Sequence, residues 1–309
     1  MLLLRQRINY SITVLFDVQS EFVLNCAPYT FAVTCQKAEL ADRLVAMYDE
    51  RLVPAHQFEG YIDYRVAMQE GNGLRHFIKP QSRFVFEGNE PFLPFKPSQG
   101  YALFEWGLNW VVSSQEFNYL IVHSAVLAKG DKAILFPASS GSGKSTLAAY
   151  LMHQGWRLLS DEMALIKPFT REIVPFVKPL CLKNESITLS RQWYPDNAFS
   201  DIAYNTHKGN VIHIKPTQLS VEQQRESAKV VGVIFPRYTA SEQFDVYSID
   251  KVGCFKGLTD NAFNYGVLGK GGVHALINIA ENSQCFELHY DNLQDVAQFL
   301  EEVINDNSP

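Results

Sequence analysis

One segment constrains this chain more than any other: Ala138-Ser-Ser-Gly-Ser-Gly-Lys-Ser-Thr146. It follows a short apolar run at residues 133–136 and opens a stretch, 144–154, with Leu147, Leu151 and Met152 at helical spacing; Gly155 can end that helix. A strand running into a glycine-rich loop that starts a helix is the context of the phosphate-binding pattern GxxxxGK[ST]. Gly143, Lys144 and Ser145 supply its last three elements, Ala138 stands at its first glycine, and Gly141 lies inside the loop. Small residues are needed there so that backbone N–H groups can turn inward around phosphate oxygens. The expected nucleotide-binding residues are therefore Ser139, Ser140, Gly141, Ser142, Gly143, Lys144, Ser145 and Thr146. Lys144, expected at a solvent-accessible loop–helix junction, would neutralise the β and γ phosphates, and the Ser145 hydroxyl would ligate Mg2+. The helix adds the positive end of its dipole. ATP and Mg2+ are the expected ligands.

A phosphate loop that supports chemistry also needs carboxylate near the metal. Leu158-Leu159-Ser160-Asp161-Glu162 arrives directly after the loop helix, at the end of an apolar run at 156–159. Two adjacent carboxylates offer two tasks, holding a metal and taking a proton from an attacking hydroxyl. His123 lies on the apolar run 119–127, which a turn at 128–131 joins to the run 132–136. A turn centred near Lys129 and Gly130 sets residue 123 opposite about residue 136, which brings the imidazole beside the loop. His56, His76, His153, His207, His213, His274 and His289 form no HxxxH or HxH pair and read as structural or surface residues. Lys183 and Lys208 are candidates for contact with phosphate or substrate, with Arg237 a further one.

The rest of the chain bounds these expectations. Its 309 residues suggest two domains, and 47% hydrophobic residues leave ample material for their cores. The boundary falls in Gly88-Asn-Glu-Pro-Phe-Leu-Pro-Phe-Lys-Pro97, which resists regular structure. Residues 1–97 read as a small α/β unit for recognition or interaction: strands at 11–16, 21–25, 30–34, 61–68 and 83–87, and a helix at 37–51. Residues 98–309 carry the loop. A helix at 100–113 is rich in aromatics, and its 104–110 segment is expected to pack between the domains without binding a ligand. Strands follow at 211–215, 230–235, 244–248 and 285–289, with helices at 260–281 and 293–304. The formal charge of −6, with no run of cations, argues against nucleic acid. Cys26, Cys35, Cys181, Cys254 and Cys285 are widely spaced without a CxxC pair, which fits a reduced compartment and gives zinc no support. No stretch approaches the roughly 18 apolar residues of a membrane span, and the opening run is too short for a signal peptide. A cytoplasmic protein without membrane contact is the expectation, with a homo-oligomer left open.

The order His123, hairpin, Ser139-Ser-Gly-Ser-Gly-Lys-Ser145, helix, Gly155-Trp-Arg-Leu-Leu-Ser-Asp-Glu162 resembles the HPr kinase/phosphorylase family, in its HPr-kinase-related kinase A branch. The segment Asn261-Ala-Phe-Asn-Tyr265 is similar to a further element of that family, and Glu105-Trp-Gly-Leu-Asn-Trp110 to the branch. The resemblance covers about residues 100 to 300. It implies an α/β (α+β) fold like that of phosphoenolpyruvate carboxykinase, a mixed central sheet, and transfer of phosphate from ATP to Ser or Thr of a protein or peptide. It also implies Asp161 as the base, Glu162 as the metal-side carboxylate and His123 as the partner that tunes Asp161. Glu162 stands where the family has a second aspartate, and the family's downstream arginine–glycine signature is not present as such. Those departures leave both the HPr substrate and the reverse phosphorylase reaction open. A kinase for a small hydroxylated metabolite and a non-catalytic nucleotide-binding module are the alternatives.

Overall fold

The computed structural model describes residues 20–71, 78–139, 141–240 and 243–306. The expected strand at 11–16, His76 and Ser140 lie outside them. The chain is a mixed α/β protein. Its first unit comprises β1 (Ser20–Cys26), β2 (Tyr29–Cys35), α1 (Ala38–Tyr48), β3 (Leu52–Pro54), β4 (Tyr64–Glu70) and β5 (Ser82–Phe86). These strands form one sheet in the order β3-β1-β2-β4-β5, parallel only between β2 and β4. Helix α1 stops before the expected 51, because Asp49–Arg51 tighten into a 3-10 turn that leads into β3.

Helix α2 (Gly100–Gln115) then crosses to the second unit. That unit runs β6 (Leu120–Lys129), β7 (Lys132–Pro137), α3 (Lys144–His153), β8 (Arg157–Ser160), β9 (Met163–Ile166) and β10 (Glu172–Val174). A small sheet and its helices follow: β11 (Leu180–Lys183), α4 (Glu185–Trp193), β12 (Ala203–Thr206), β13 (Gly209–Ile214) and α5 (Gln218–Glu222). The chain ends with β14 (Ala228–Tyr238), β15 (Asp245–Ser248), α6 (Lys251–Asp260), α7 (Tyr265–Leu268), α8 (Lys270–Asn282), β16 (Gln284–Tyr290) and α9 (Leu293–Asn305). The large sheet is ordered β10-β9-β6-β7-β14-β16-β15, with β8 also on β6 and β10 also reaching β14. Strand β14 is parallel to β7 and β16, and the remaining pairs are antiparallel.

Strand β7 shows why this sheet is central. Its Ile134 and Phe136 join Leu147 and Leu151 of α3 and Leu300 of α9 in one core. Its Ala133 and Leu135 join Leu258 of α6 and Leu276 of α8 in another. A strand covered on both faces reads as a continuous apolar run, which is what 133–136 is. No helix among the described residues is long and apolar enough to cross a membrane.

Two expectations on helices and strands change. The stretch 260–281 is not one helix: α6 ends at Asp260, residues 261–264 form a break because Asn264 leaves helical geometry to bond the start of β6, and α7 and α8 follow. The hairpin register is also displaced: Ser124 pairs with Pro137 and Lys129 with Lys132, so the two-residue turn is Gly130-Asp131. His123 therefore falls two residues further along than expected, opposite Ala138 and deeper in the loop.

Helix α2 shares a core with the first sheet, through Phe104, Leu108 and Phe84, and the same core takes in Met163 and Leu165 of the second unit. Its Glu105 is 2% exposed. The carboxylate accepts hydrogen bonds from Tyr48 Oη and Tyr101 Oη, each at 2.7 Å, and from Lys178 Nζ at 3.1 Å. Burial pushes its pKa up, but Lys178, His213 and the two tyrosines outweigh that and hold it below the usual value. The charge is thus kept, and it joins α1, α2 and the segment entering β11. We expect Lys178→Ala to cost about 3–5 kcal/mol in urea denaturation, since it strands a buried carboxylate. Adding Glu105→Gln should recover much of that loss, because the amide oxygen still serves the tyrosines. A loss below about 1 kcal/mol would show that Glu105 does not depend on Lys178.

Candidate active site

The loop between β7 and α3 takes its shape from two glycines, Gly141 at φ +96° and Gly143 at φ +90°. At Gly143 the limit is also steric. A Cβ there would lie 2.8 Å from Tyr290 Oη and 2.9 Å from Tyr238 Cβ. Ser142 N–H donates to Ser139 O at 3.4 Å, and Tyr238 N–H donates to Ser142 O at 3.1 Å. The loop is therefore fastened to the end of β14. Ala138 is buried at its base, while Ser145 and Thr146 follow half-buried in the first turn of α3. Alanine is tolerated at 138 because the turn that needs positive φ comes later.

Lys144 is not at an exposed junction; it is 8% exposed. Its side chain folds back so that Nζ donates to His123 Nε2 at 3.2 Å. That bond makes Nε2 the acceptor, so the ring proton sits on Nδ1, which donates to the Glu162 carbonyl at 3.1 Å. Burial, then the Lys144 charge, hold the His123 pKa below its ordinary value, which keeps the ring neutral near pH 7. The nearest carboxylate is Glu162, with Oε2 at 3.9 Å from Nδ1. The resemblance assigned His123 to Asp161; its contacts are with Lys144 and Glu162, because the ring lies one strand across from the bend that carries both carboxylates.

Asp161 and Glu162 occupy the bend between β8 and β9. Asp161 Oδ2 accepts from the Cys181 backbone N–H at 3.1 Å, and Oδ1 accepts from Ser145 Oγ at 3.2 Å. Burial, then the neighbouring Glu162 charge, push the Asp161 carboxyl up to about 6. Glu162 moves the other way. Burial raises it, but Lys208, Lys144, His123 and Lys183 together hold it below the usual carboxylate value. The structure therefore brings Lys183, at the end of β11, and Lys208, in the β12–β13 turn, into the same field as the carboxylates. Lys208 Nζ stands 5.2 Å over the Trp106 ring, which also meets His207 and Phe95. Arg237 is placed differently, on the β14 side of the loop, with Nη1 3.7 Å from Glu287 Oε1.

Several contributors were not read from the sequence. The segment 261–264 straps the start of β6: His123 N–H donates to Asn261 O at 2.8 Å and Phe263 N–H to Ile121 O at 2.9 Å. Asn264 Oδ1 accepts from Ile121 N–H at 2.8 Å, and the Phe263 ring stacks on His123 at 6.0 Å. The motif Asn261-Ala-Phe-Asn-Tyr265 marks this strap in the sequence but does not reveal its task. His213, read as structural or surface, is 2% exposed. Among the described residues, its Nε2, Trp106 Nε1 and Asn109 Oδ1 are buried without a hydrogen-bond partner, and the three residues line, with Asp161, a cavity of about 20 Å3, room for one water.

No protein-family model and no curated protein matches the chain. The residues themselves fit a triphosphate and a hard divalent cation. A loop with positive φ at Gly141 and Gly143, and open space beside Gly141, leaves backbone there accessible to phosphate, and Ser145, Asp161 and Glu162 are all oxygen donors.

The raised Asp161 pKa has a consequence for stability. The unfolded side chain titrates near 3.8 and the folded one near 6, so the folded chain keeps its proton longer as pH rises. That contribution is present below the lower value and is lost as pH rises through the upper one. Without Mg2+, Asp161→Asn should therefore melt above the parent near pH 7.5, with the advantage shrinking as pH approaches about 4. Equal melting temperatures across that range would mean that ionised Asp161 is not under strain.

Proposed function

We propose that this chain is a kinase that transfers the γ-phosphate of ATP to a Ser or Thr hydroxyl of a protein or peptide. We further propose that it belongs with the HPr kinase/phosphorylase family, in the HPr-kinase-related kinase A branch, with that family's relation to the phosphoenolpyruvate carboxykinase fold. The observation that carries this reading is the pair of adjacent carboxylates facing the loop lysine, with one pKa raised to about 6 and the other lowered. Two carboxyl groups driven apart in this way divide acid–base work from charge stabilisation. A module that only binds nucleotide needs neither the division nor His123.

In this reading the backbone of 139–143 cradles the phosphates, and Lys144 leaves His123 Nε2 to meet the β and γ oxygens. Ser145 Oγ and Glu162 would hold Mg2+, which supplies neutralisation of charge on the phosphate oxygens. Asp161 accepts the proton of the acceptor hydroxyl as its oxygen bonds to phosphorus, while the bond from phosphorus to the β–γ bridging oxygen breaks and ADP departs. Lys183 and Lys208 balance charge on the transferring oxygens. His123, with Nδ1–H on the Glu162 carbonyl, fixes the bend that carries both carboxylates.

A second assignment is favoured by one contact. Ser145 Oγ bonds Asp161 and not Glu162, at 3.2 Å, which suits Asp161 as the metal-side group and Glu162 as the base.

Transfer from γ-labelled ATP to Ser-bearing proteins of the source lysate, together with slow ATP hydrolysis, tests both. Asp161→Asn should bind Mg-ATP about as well as the parent and turn over roughly 10²–10⁴-fold more slowly. Glu162→Gln should instead raise the Mg2+ concentration needed for half-maximal rate. If the two phenotypes are exchanged, so are the two roles. If the parent and both variants are equally inert across a broad range of acceptors, the protein is a nucleotide-binding module.

A further inference from the structure

Three of the groups assigned to the reaction at the γ-phosphate lie on one flank of the loop. His123 is on β6, and Asp161 and Glu162 sit on the far edge of β6, between β8 and β9. On the other flank is β14, hydrogen-bonded in parallel to β7. The pairing of Val233 with Leu135 sets Phe235 level with Pro137, where β7 ends. Pro236, Arg237 and Tyr238 therefore continue past β7 and run alongside the loop, paired with Leu288, His289 and Tyr290 of β16. The two strands form a wall rising beside the phosphate loop.

Tyr238 is where that wall touches the loop. Its N–H donates to Ser142 O at 3.1 Å, and its Cβ lies where a side chain on Gly143 would need to be. Tyr290 supports it from within: that ring is fully buried and meets Tyr238 edge-on at 5.9 Å. Tyr238 itself is 51% exposed. A fixed backbone, a buried ring behind it and an exposed aromatic surface are the parts of a stacking platform. Position supplies the ligand. Adjacent strands are about 4.8 Å apart, so the carboxylate bend and Tyr238 stand on opposite sides of the loop strand, separated by a few strand widths. A triphosphate with its γ end at the carboxylates runs across the loop and delivers its nucleoside to the β14 flank. In parallel strands, ligands also collect beyond the carboxyl ends, which is where Tyr238 and Tyr290 fall.

We propose that the overhanging ends of β14 and β16 form the nucleoside subsite, with Tyr238 as the surface on which the base stacks. This rests on the phosphate-loop reading. Stacking uses the face that every base has, so the subsite accepts adenine and guanine alike and separates nucleoside triphosphates from bare polyphosphate.

Titration calorimetry on the full chain, with Mg2+, tests this using ATP, GTP and inorganic tripolyphosphate. ATP and GTP should bind within a fewfold of each other, and both roughly tenfold or more tighter than tripolyphosphate. Tyr238→Ala should reduce ATP to the tripolyphosphate level while leaving tripolyphosphate unchanged, and Tyr238→Phe should restore the difference. An ATP-to-tripolyphosphate ratio unchanged in Tyr238→Ala would overturn the subsite. So would an equal loss for both ligands, which would make Tyr238 a prop for the loop only. Failure of tripolyphosphate to bind the parent would overturn the phosphate-loop reading itself, and the subsite with it.

Discussion

An ammonium group withdrawn from water costs several kcal/mol unless charge and hydrogen bonds answer it. Lys144 is such a group, and the site is built around its answer. Burial holds its pKa below the ordinary value, and Asp161 and Glu162 oppose that shift. His123 Nε2 accepts a hydrogen bond from it. These partners come from two parts of the fold, the hairpin strand β6 and the bend between β8 and β9, and they meet the lysine at the first turn of α3. Lys183 and Lys208 add two more cations to the field at Glu162, so two carboxylates face three ammonium groups. A cluster with surplus positive charge beside a glycine loop would suit a polyanion. The phosphate chain proposed above would complete the charge balance that the protein alone leaves uneven.

The N-terminal unit is tied to this site through α2. Trp106 packs on Phe95 and His207 and lies beneath Lys208, while Trp110 packs on Phe86 and Phe92 of the first unit. The aromatic segment thus lies between the units, and one of its rings also carries a cation of the site. Glu105, one residue before Trp106, anchors the same helix to Lys178 just ahead of β11. The β11 strand in turn supplies the Cys181 N–H that Asp161 accepts. A short chain of packed and hydrogen-bonded groups thus runs from α2 to the Asp161 carboxylate.

Much of the second unit was legible because its signals are local. The run 133–136, the glycine loop and the helical spacing after Lys144 each announce themselves within a few residues. Adjacency in sequence also marked Asp161 and Glu162. What was not legible depends on partners distant along the chain. The short strands β9 to β12 have too few residues to show a period, and α4 follows directly on one of them. The break at 261–264 exists because Asn264 satisfies the backbone of β6, a contact across 143 positions that no helical periodicity reports. The register of the β6–β7 hairpin was displaced because the turn is Gly130-Asp131, and glycine at φ +57° allows that tighter connection. The burial of Lys144 is hidden for the same kind of reason: residue type and loop context do not reveal that its side chain folds back onto His123.

The central claim is that Lys144 is held in readiness for phosphate. Lys144→Met keeps the apolar stem and removes the charge, so the fold can be checked by its thermal melt before binding is measured. Titration of Mg-ATP into the parent and this variant gives the most direct reading. Affinity at least about tenfold weaker in a folded Lys144→Met protein is the expected result, the usual worth of a lost charge-assisted contact. Equal affinity in the two proteins would contradict it.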